Sequence, residues 1–434
     1  MEYIVIAAIG ALAAILANKG IAVFNDGFRP IVPQYFDGSI SRKELAAMSF
    51  AISFGLVIGF GIPTSIAASI ILIHCILLTT DIIGTWCPDS NLGTILSGVI
   101  GAVYGVFLLF GLDFIVTLFG YLPYNFIDAL GSVSKYVTVA FAIFPALAVA
   151  YQHGFNKGAI TAVVTVLSYF LIKKFGVISM GSNQITLNAE GMSMLVGTVM
   201  MLVYAATMKT DSSTANTDLV NVFSERVSRI RKNWFLLAII GGLIACGTSM
   251  TMIAGDPISL ALAQEGAFSE AGLAALARAI GFVPLVFTTA IVTGVYAPAG
   301  CTFVFVVGLF LTGNPLLALV LGAAVMIVEL LLINVFAKGM DRFPGVKDMG
   351  EHIRTSMNKV LEVALLVGGV VAAEAMSAAV GLSGIGALFV IGCLLLNRVS
   401  KKPIVELAIG PVACIVYGIL INLLIILQIV TLVA

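Results

Sequence analysis

Few side chains in this sequence could do chemistry, and most of those stand inside long apolar runs. Glu329 lies at the centre of AVMIVELLLIN (324–334), Glu362 lies in LEVALLVGG (361–369), and Asp81 lies in TTDIIG (79–84). An ionisable group inside a bilayer costs roughly 3 kcal/mol on insertion scales, so it is kept for function or is paired. Glu329 reads as a carrier of a proton or cation, or as a ligand for a polar solute. A hydrogen bond to a neighbouring helix is the plain alternative. Glu362 sits one helical turn after Asn358, close enough to the span end to snorkel toward the interface. Glu374 and Glu406 lie nearer span ends still.

Two segments add backbone chemistry. In FNDGFRPIVPQ (24–34), Gly27, Pro30 and Pro33 stop a helix and free its polar groups. Asp26 and Arg29 are spaced to pair across one turn, either holding that turn or serving as a gate. In FVPLVFTTAIVTGVYAPAG (282–300), Thr288, Thr289 and Thr293 bring hydroxyls to the tip of a half-helix, with Tyr296 just beyond. Gly294, Pro298 and Gly300 break the helix there. The exposed N–H and C=O groups suit a polar solute, and a half-helix N-terminus after the break favours an anion. Asp128 lies in another interrupted stretch, 111–135, around GYLPYN (120–125), and Arg278 lies just before 281–311.

Enzyme signatures are absent. There is no GxxxxGK[ST] and no HExxH. His74, His153 and His352 are far apart, and the six cysteines contain no CxxC pair, so they read as small packing residues. The expectation is no enzyme, no cofactor and no metal.

The elements that must position these residues follow from composition. The chain has 434 residues, of which 60% are hydrophobic and 10% charged, with zero net charge. A soluble domain carries roughly 25% charged residues. A soluble enzyme, a disordered chain and a nucleic-acid binder are all excluded. The apolar runs are continuous over about 20 residues, the length of an α-helical span, whereas barrel strands are about ten residues long and alternate. The fold class is therefore all-α, a polytopic helical membrane protein. Spans are expected near 3–24, 45–61, 64–80, 92–110, 136–151, 157–172, 190–207, 234–254, 316–337, 359–380, 382–397 and 404–433. The first run lacks a basic leader and reads as a retained span.

Basic residues orient the spans. The segment 208–233 holds Lys209, Arg226, Arg229, Arg231 and Lys232, and 338–359 holds Lys338, Arg342, Lys347, Arg354 and Lys359, so both are expected in the cytoplasm. Both can lie there only if 281–311 enters and leaves by one face, as a re-entrant hairpin folded at Val295–Ala299. With 111–135 also non-crossing, the N-terminus is periplasmic. Arg29, Arg42, Lys43, Lys157, Arg398, Lys401 and Lys402 then fall inside as well. The chain divides into a membrane half (1–207), an amphipathic cytoplasmic linker (208–233) and a second membrane half (234–434). Paired interrupted segments mark the solute site in transporters built from inverted repeats, so the tips of 111–135 and 281–311 are expected to meet near the midplane. The stretch 218–233 reads as an interfacial helix, and 269–280 as a short external helix capped by Ser269.

The segments AVFNDGFRPIVPQ (22–34), TTDIIG (79–84), GFVPLVFTTAIVTGVYAPAG (281–300) and LEVALLVGG (361–369) resemble those of the YhfT family of bacterial inner-membrane proteins. The resemblance runs along the whole chain and implies a cytoplasmic-membrane protein of small-molecule metabolism with no established substrate. A weaker likeness is to membrane subunits of ascorbate- and galactitol-type phosphotransferase systems. It implies re-entrant hairpins, a homodimeric scaffold and an elevator-like motion. No phosphocarrier domain is present. The functional expectation is a secondary transporter of a small polar or anionic solute. Thr288, Thr289, Thr293, Tyr296, Asp81 and Asp128 would bind solute, Glu329 or Glu362 would carry a coupling proton or sodium ion, and Asp26 and Arg29 would gate. The alternatives are an intramembrane enzyme on a hydrophobic or lipid-linked substrate, and an orphan phosphotransferase-type permease subunit.

Overall fold

Apolar runs leave backbone polar groups no partners but one another, so the chain is helical wherever it is apolar. The computed structural model describes residues 1–180, 183–187, 189–208, 217–339, 344–401, 403–404 and 406–433. Lys209, Arg342 and Lys402 of the basic segments lie outside the described residues. The first half contains α1 (Glu2–Asn18), α2 (Val32–Phe36), α3 (Arg42–Leu56), a π-helical turn (Val57–Gly61), α4 (Ile62–Ala68), α5 (Ile73–Trp86), α6 (Asn91–Gly120), α7 (Ile127–Phe141), α8 (Phe144–His153), α9 (Phe155–Phe175) and α10 (Ala189–Ala206). A linking helix, α11 (Thr217–Lys232), follows. The second half contains α12 (Trp234–Ser249), α13 (Pro257–Gln264), α14 (Phe268–Thr293), α15 (Phe303–Phe310), α16 (Pro315–Gly339), α17 (Pro344–Ala378), α18 (Ile385–Val399) and α19 (Glu406–Ile426). Among the described residues, seven helices are long and apolar enough to cross a membrane: α6, α9, α10, α14, α16, α17 and α19. The chain is an all-helical protein of membrane-spanning type.

Several boundaries differ from those expected. α1 ends at Asn18, and 19–31 is irregular. The expected span 64–80 is interrupted between α4 and α5 by the strand β1 (Ile71–Leu72). α6 runs unbroken through 111 to Gly120, so the interruption there shrinks to 121–126. The expected external helix 269–280 is the first half of α14. Outside this framework, β2 (Val177–Met180) and β3 (Asn183–Thr186) form a small antiparallel hairpin.

Four interruptions organise the centre: 19–31, 69–72, 250–256 and 294–302. Their extended backbones pair. β1 runs parallel to β4 (Ile253–Ala254), and Ala22 bridges Tyr296 in parallel. The two pairings are equivalent. Ile71 N–H donates to Met252 O at 3.0 Å, and Tyr296 N–H donates to Ile21 O at 3.0 Å. Two of the interruptions reverse the chain. Trp86 Nε1, at the end of α5, donates to Ala46 O near the start of α3. Gly272, near the start of α14, faces the ring of Phe310 at the end of α15. Both are helical hairpins whose second limb folds back along the first.

The two halves pack alike. Gly101 of α6 leaves no room for a Cβ against Gly10 O and Ala14 of α1, and Gly322 of α16 leaves none against Gly241 and Ala245 of α12. Gly84 of α5 meets Ala14 O and Ala17, and Gly308 of α15 meets Ala245 O and Thr248. Small residues at these crossings let the backbones approach within van der Waals contact. Leucine at Gly101 or Gly322 is expected to lower stability by about 2–3 kcal/mol in each case. Leucine at Gly111, where a Cβ meets nothing within 4 Å, should be neutral. Thermal unfolding of the three variants in detergent checks this, and equal midpoints would refute the matched packing.

Candidate functional site

The site grows out of the interruptions. Where α1 unwinds, freed N–H groups face an apolar interior. Asp81 of α5, 1% exposed, accepts Phe24 N–H at 3.1 Å and Asn25 N–H at 2.9 Å. Asn25 Oδ1 accepts Gly27 N–H at 2.9 Å, and its Nδ2 donates to Ser53 Oγ at 3.1 Å. Arg29 is 1% exposed. Its guanidinium forms an ion pair with Asp26 across one turn and lies within electrostatic reach of Asp81, Tyr296 and Cys301.

The second half answers the same need differently. Glu329 of α16 accepts Tyr296 O–H at 2.8 Å and Cys301 N–H at 2.7 Å, both through Oε2. Gly300 has φ +55, and a Cβ there would collide with that carboxylate. Thr293 Oγ1 donates to Thr289 O at 2.7 Å and accepts Val295 N–H at 3.1 Å, capping the end of α14. Asp256 caps α13: Oδ1 accepts Ile258 N–H (3.0 Å) and Ser259 N–H (2.8 Å), and Oδ2 accepts Ser259 O–H at 2.6 Å. Arg278 of α14 reaches the same Oδ2 at 3.7 Å and stacks on Phe282 at 4.5 Å.

Between these groups lies a cavity of about 440 Å³. Its walls are largely apolar, with Phe24, Phe60, Phe282, Leu78 and Val286 among them. Its buried lining includes polar atoms that meet no partner among the described residues: Arg29 Nε and Nη1, Arg278 Nε, Thr302 Oγ1 and His74 Nδ1. His74 is wedged between Phe24 and Phe60, each ring 5.1 Å away. The guanidinium atoms can only donate. The lining acid Asp256 is already saturated, and Asp26 is ion-paired. The unfilled demand of the cavity is therefore for hydrogen-bond acceptors. Its rim carries Arg354, Glu362 and Glu406. Glu362 pairs with Lys359 at 3.0 Å, and Glu406 with Arg398 at 2.9 Å.

The residues singled out from sequence fall into three groups. Asp26, Arg29 and Glu362 line the cavity. Asp81, Tyr296 and Glu329 stand behind it, holding the interruptions, and Glu329 Oε1 meets no partner among the described residues. Thr288, Thr289 and Thr293 do not line it: Thr288 faces Gly350 of α17, and Thr293 is spent on its cap. Asp128 is exposed in the first turn of α7 and lies outside the lining. The expected meeting of 111–135 with 281–311 does not occur. Tyr124 pairs instead with Asn422 of α19, N–H to Oδ1 at 2.9 Å, and Phe126 packs on Gly418. The partner of 294–302 is the interruption after α1. A Pro-containing turn between two helices looks the same in sequence whether it faces the site or packs on an outer helix.

Asp256, Arg278, His74 and Thr302 were not among the predicted site residues. Arg278 had a legible signal: it is a lone cation in ALARAIGFVPLVF (275–287), the same anomaly that singles out Glu329. An external helix over 269–280 would place it outside the membrane, whereas it stands within α14. Thr302 had none, because its position depends on the left-handed turn at φ 75. Among the described residues no group of three His, Cys, Asp or Glu side chains is placed to hold a metal ion.

Comparison with known proteins bears on identity. Residues 2–430 match the model of the YhfT family, described as a protein of unknown function. The chain is 36% identical over 440 residues to the uncharacterized protein YhfT of Escherichia coli (strain K12), covering 98% of this chain and 97% of that one. No solved structure matches. A match along nearly the whole length means that this chain belongs to the YhfT family.

Proposed function

We propose that the protein is a secondary transporter for a small, acceptor-rich solute, such as a carboxylated or polyhydroxylated metabolite, in the bacterial inner membrane. The observation that carries this reading is the set of buried, unpartnered donors in the cavity, on Arg29, Arg278 and Thr302. An unmade hydrogen bond to a buried charged donor costs more than about 1–3 kcal/mol. A solute that supplies acceptors removes that cost. Arg29 and Arg278 come from different halves yet line one cavity, where a single solute is proposed to bridge them. The aromatic walls fit its carbon skeleton.

The charged rim favours an aqueous opening, and so transport over intramembrane chemistry on a lipid-linked substrate. Its basic neighbours Lys359 and Arg398 suggest that this opening faces the cytoplasm. On that reading the hairpins α3–α5 and α14–α15 are re-entrant, the N-terminus is periplasmic, and the halves are inverted repeats. The elevator-like motion and the homodimer come from the likeness to phosphotransferase membrane subunits.

Arg29→Gln and Arg278→Gln are each expected to weaken solute binding roughly 100-fold, the loss of a buried charged partner. Thermal-shift titration with sugar acids, sugars and amino acids, then proteoliposome uptake of the best ligand, measures this. Unchanged affinity in both variants would remove the arginines from the site.

Coupling is proposed at Glu329, whose free Oε1 faces no cation, with Glu362 in reserve at the rim. In Glu329→Gln, uptake is expected to lose its response to an imposed pH gradient while solute still binds. Glu362→Gln should shift that response only partly. Uptake indifferent to pH in the native protein and unaltered in both variants would end the proposal.

A further inference from the structure

The linking helix α11 has two working faces. Toward the site, Arg226 donates to Val292 O at the end of α14, and Arg229 donates to Gly20 O at 3.2 Å while stacking on Phe36 at 4.0 Å. Val227 and Ile230 are buried against the core. The helix is therefore fixed to the interruptions, more than a surface anchor needs. The opposite side carries Ser228, Arg231 and Lys232, roughly half a turn away at 100° per residue.

That opposite side borders a groove of about 570 Å³, closed by Trp234, Leu330 and Leu331. α11 and α12 meet there at a bend of 62°. Arg231 and Lys232 are exposed and make no ion pair among the described residues. No acidic side chain lines the groove. From the groove toward the start of α16, and so toward the bilayer interior, Leu331 (58%), Val328 (52%) and Leu321 (42%) stand exposed as an apolar track. Helix-dipole compensation alone explains a basic last turn. It needs neither a groove beside the charges nor an indole at the rim.

We propose that this groove binds one anionic phospholipid. Its phosphate is held by Arg231, Lys232 and Ser228 Oγ, Trp234 lies at headgroup level, and an acyl chain runs along α16. Basic pockets between membrane helices hold anionic headgroups in this way. The lipid would fix the linker where Arg226 and Arg229 cap the interruptions.

The test uses the full-length protein in neutral detergent at fixed ionic strength. Its thermal midpoint is read with dioleoyl phosphatidylglycerol, dioleoyl phosphatidylcholine or glycerol 3-phosphate. Phosphatidylglycerol should raise the midpoint, and the other two should not. Arg231→Gln with Lys232→Gln should weaken the apparent affinity roughly 30-fold, from two basic contacts. Arg231→Lys with Lys232→Arg should keep it, as should Lys401→Gln on another basic loop. Ser228→Glu, at an exposed position, places a carboxylate in the groove and should abolish the shift even if the double variant does not fold. An equal shift from phosphatidylcholine would reduce the groove to a generic lipid contact. An equal shift from glycerol 3-phosphate would make it an ion site. A phosphatidylglycerol response that survives Ser228→Glu would place the lipid elsewhere.

Discussion

Four helices unwind inside an apolar interior, and each N–H and C=O set free there must be met by protein, because lipid offers nothing. Extended backbone supplies part of the answer: Ile71 and Met252 pair, as do Tyr296 and Ile21. Carboxylates supply the N–H side. Asp81 takes Phe24 and Asn25, Asp256 takes Ile258 and Ser259, and Glu329 takes Cys301 and the Tyr296 hydroxyl. Arginines supply the C=O side. Arg229 donates to Gly20 O and Arg226 to Val292 O, and Arg42 does the same at the end of α5, donating to Gly84 O at 2.7 Å and Cys87 O at 3.0 Å. Burying a charge in a span costs roughly 3 kcal/mol. Hydrogen bonds to charged groups return about 1.5–3 kcal/mol each, so two or three per carboxylate offset the cost.

This division of labour moves the functional burden. Acids committed to backbone groups are poor ligands for a solute, whereas the arginines that face the cavity retain unused donors. The halves also differ where the cavity needs them to. In the first half an acid on α5 holds the unwound stretch from outside. In the second, Phe305 of α15 packs against Gly255, and the adjoining Asp256 holds its own turn. One backbone plan thus places Arg29 beside Asp26 on one side of the cavity, and Arg278 beside Asp256 on the other.

Composition made the helical membrane class legible, and a lone charge in an apolar run made Glu329 and Asp81 stand out. Punctuation by Gly and Pro marked 24–34 and 294–300 as interruptions. What could not be read was which interruption meets which. Residues 71–72 and 253–254 carry no Gly or Pro of their own, because their extended form is held by pairing between distant parts of the chain, Ile71 with Ile253 and Leu72 with Ala254. The same charge signal does not tell a ligand from a hydrogen bond to backbone, since both need a buried acid. The likeness of the halves was invisible as well. It survives in backbone geometry and in small residues such as Gly10, Gly101, Gly241 and Gly322, where only size is constrained.

The pins also limit how the molecule can move. Asp81 ties the stretch after α1 to α5, Glu329 ties the stretch after α14 to α16, and the two strand pairs tie the halves together. Any local opening at one interruption would strand N–H groups in an apolar interior, at roughly 1–3 kcal/mol for each. Contacts from this core to the surrounding helices are of another kind: Gly281 of α14 on Thr198 of α10, Thr288 on Gly350 of α17, and the rings of Phe282 and Phe144. Such surfaces exchange one packing for another without stripping hydrogen bonds. If the proposed transport requires alternating access, the low-cost path is displacement of the pinned core as one body against the outer helices.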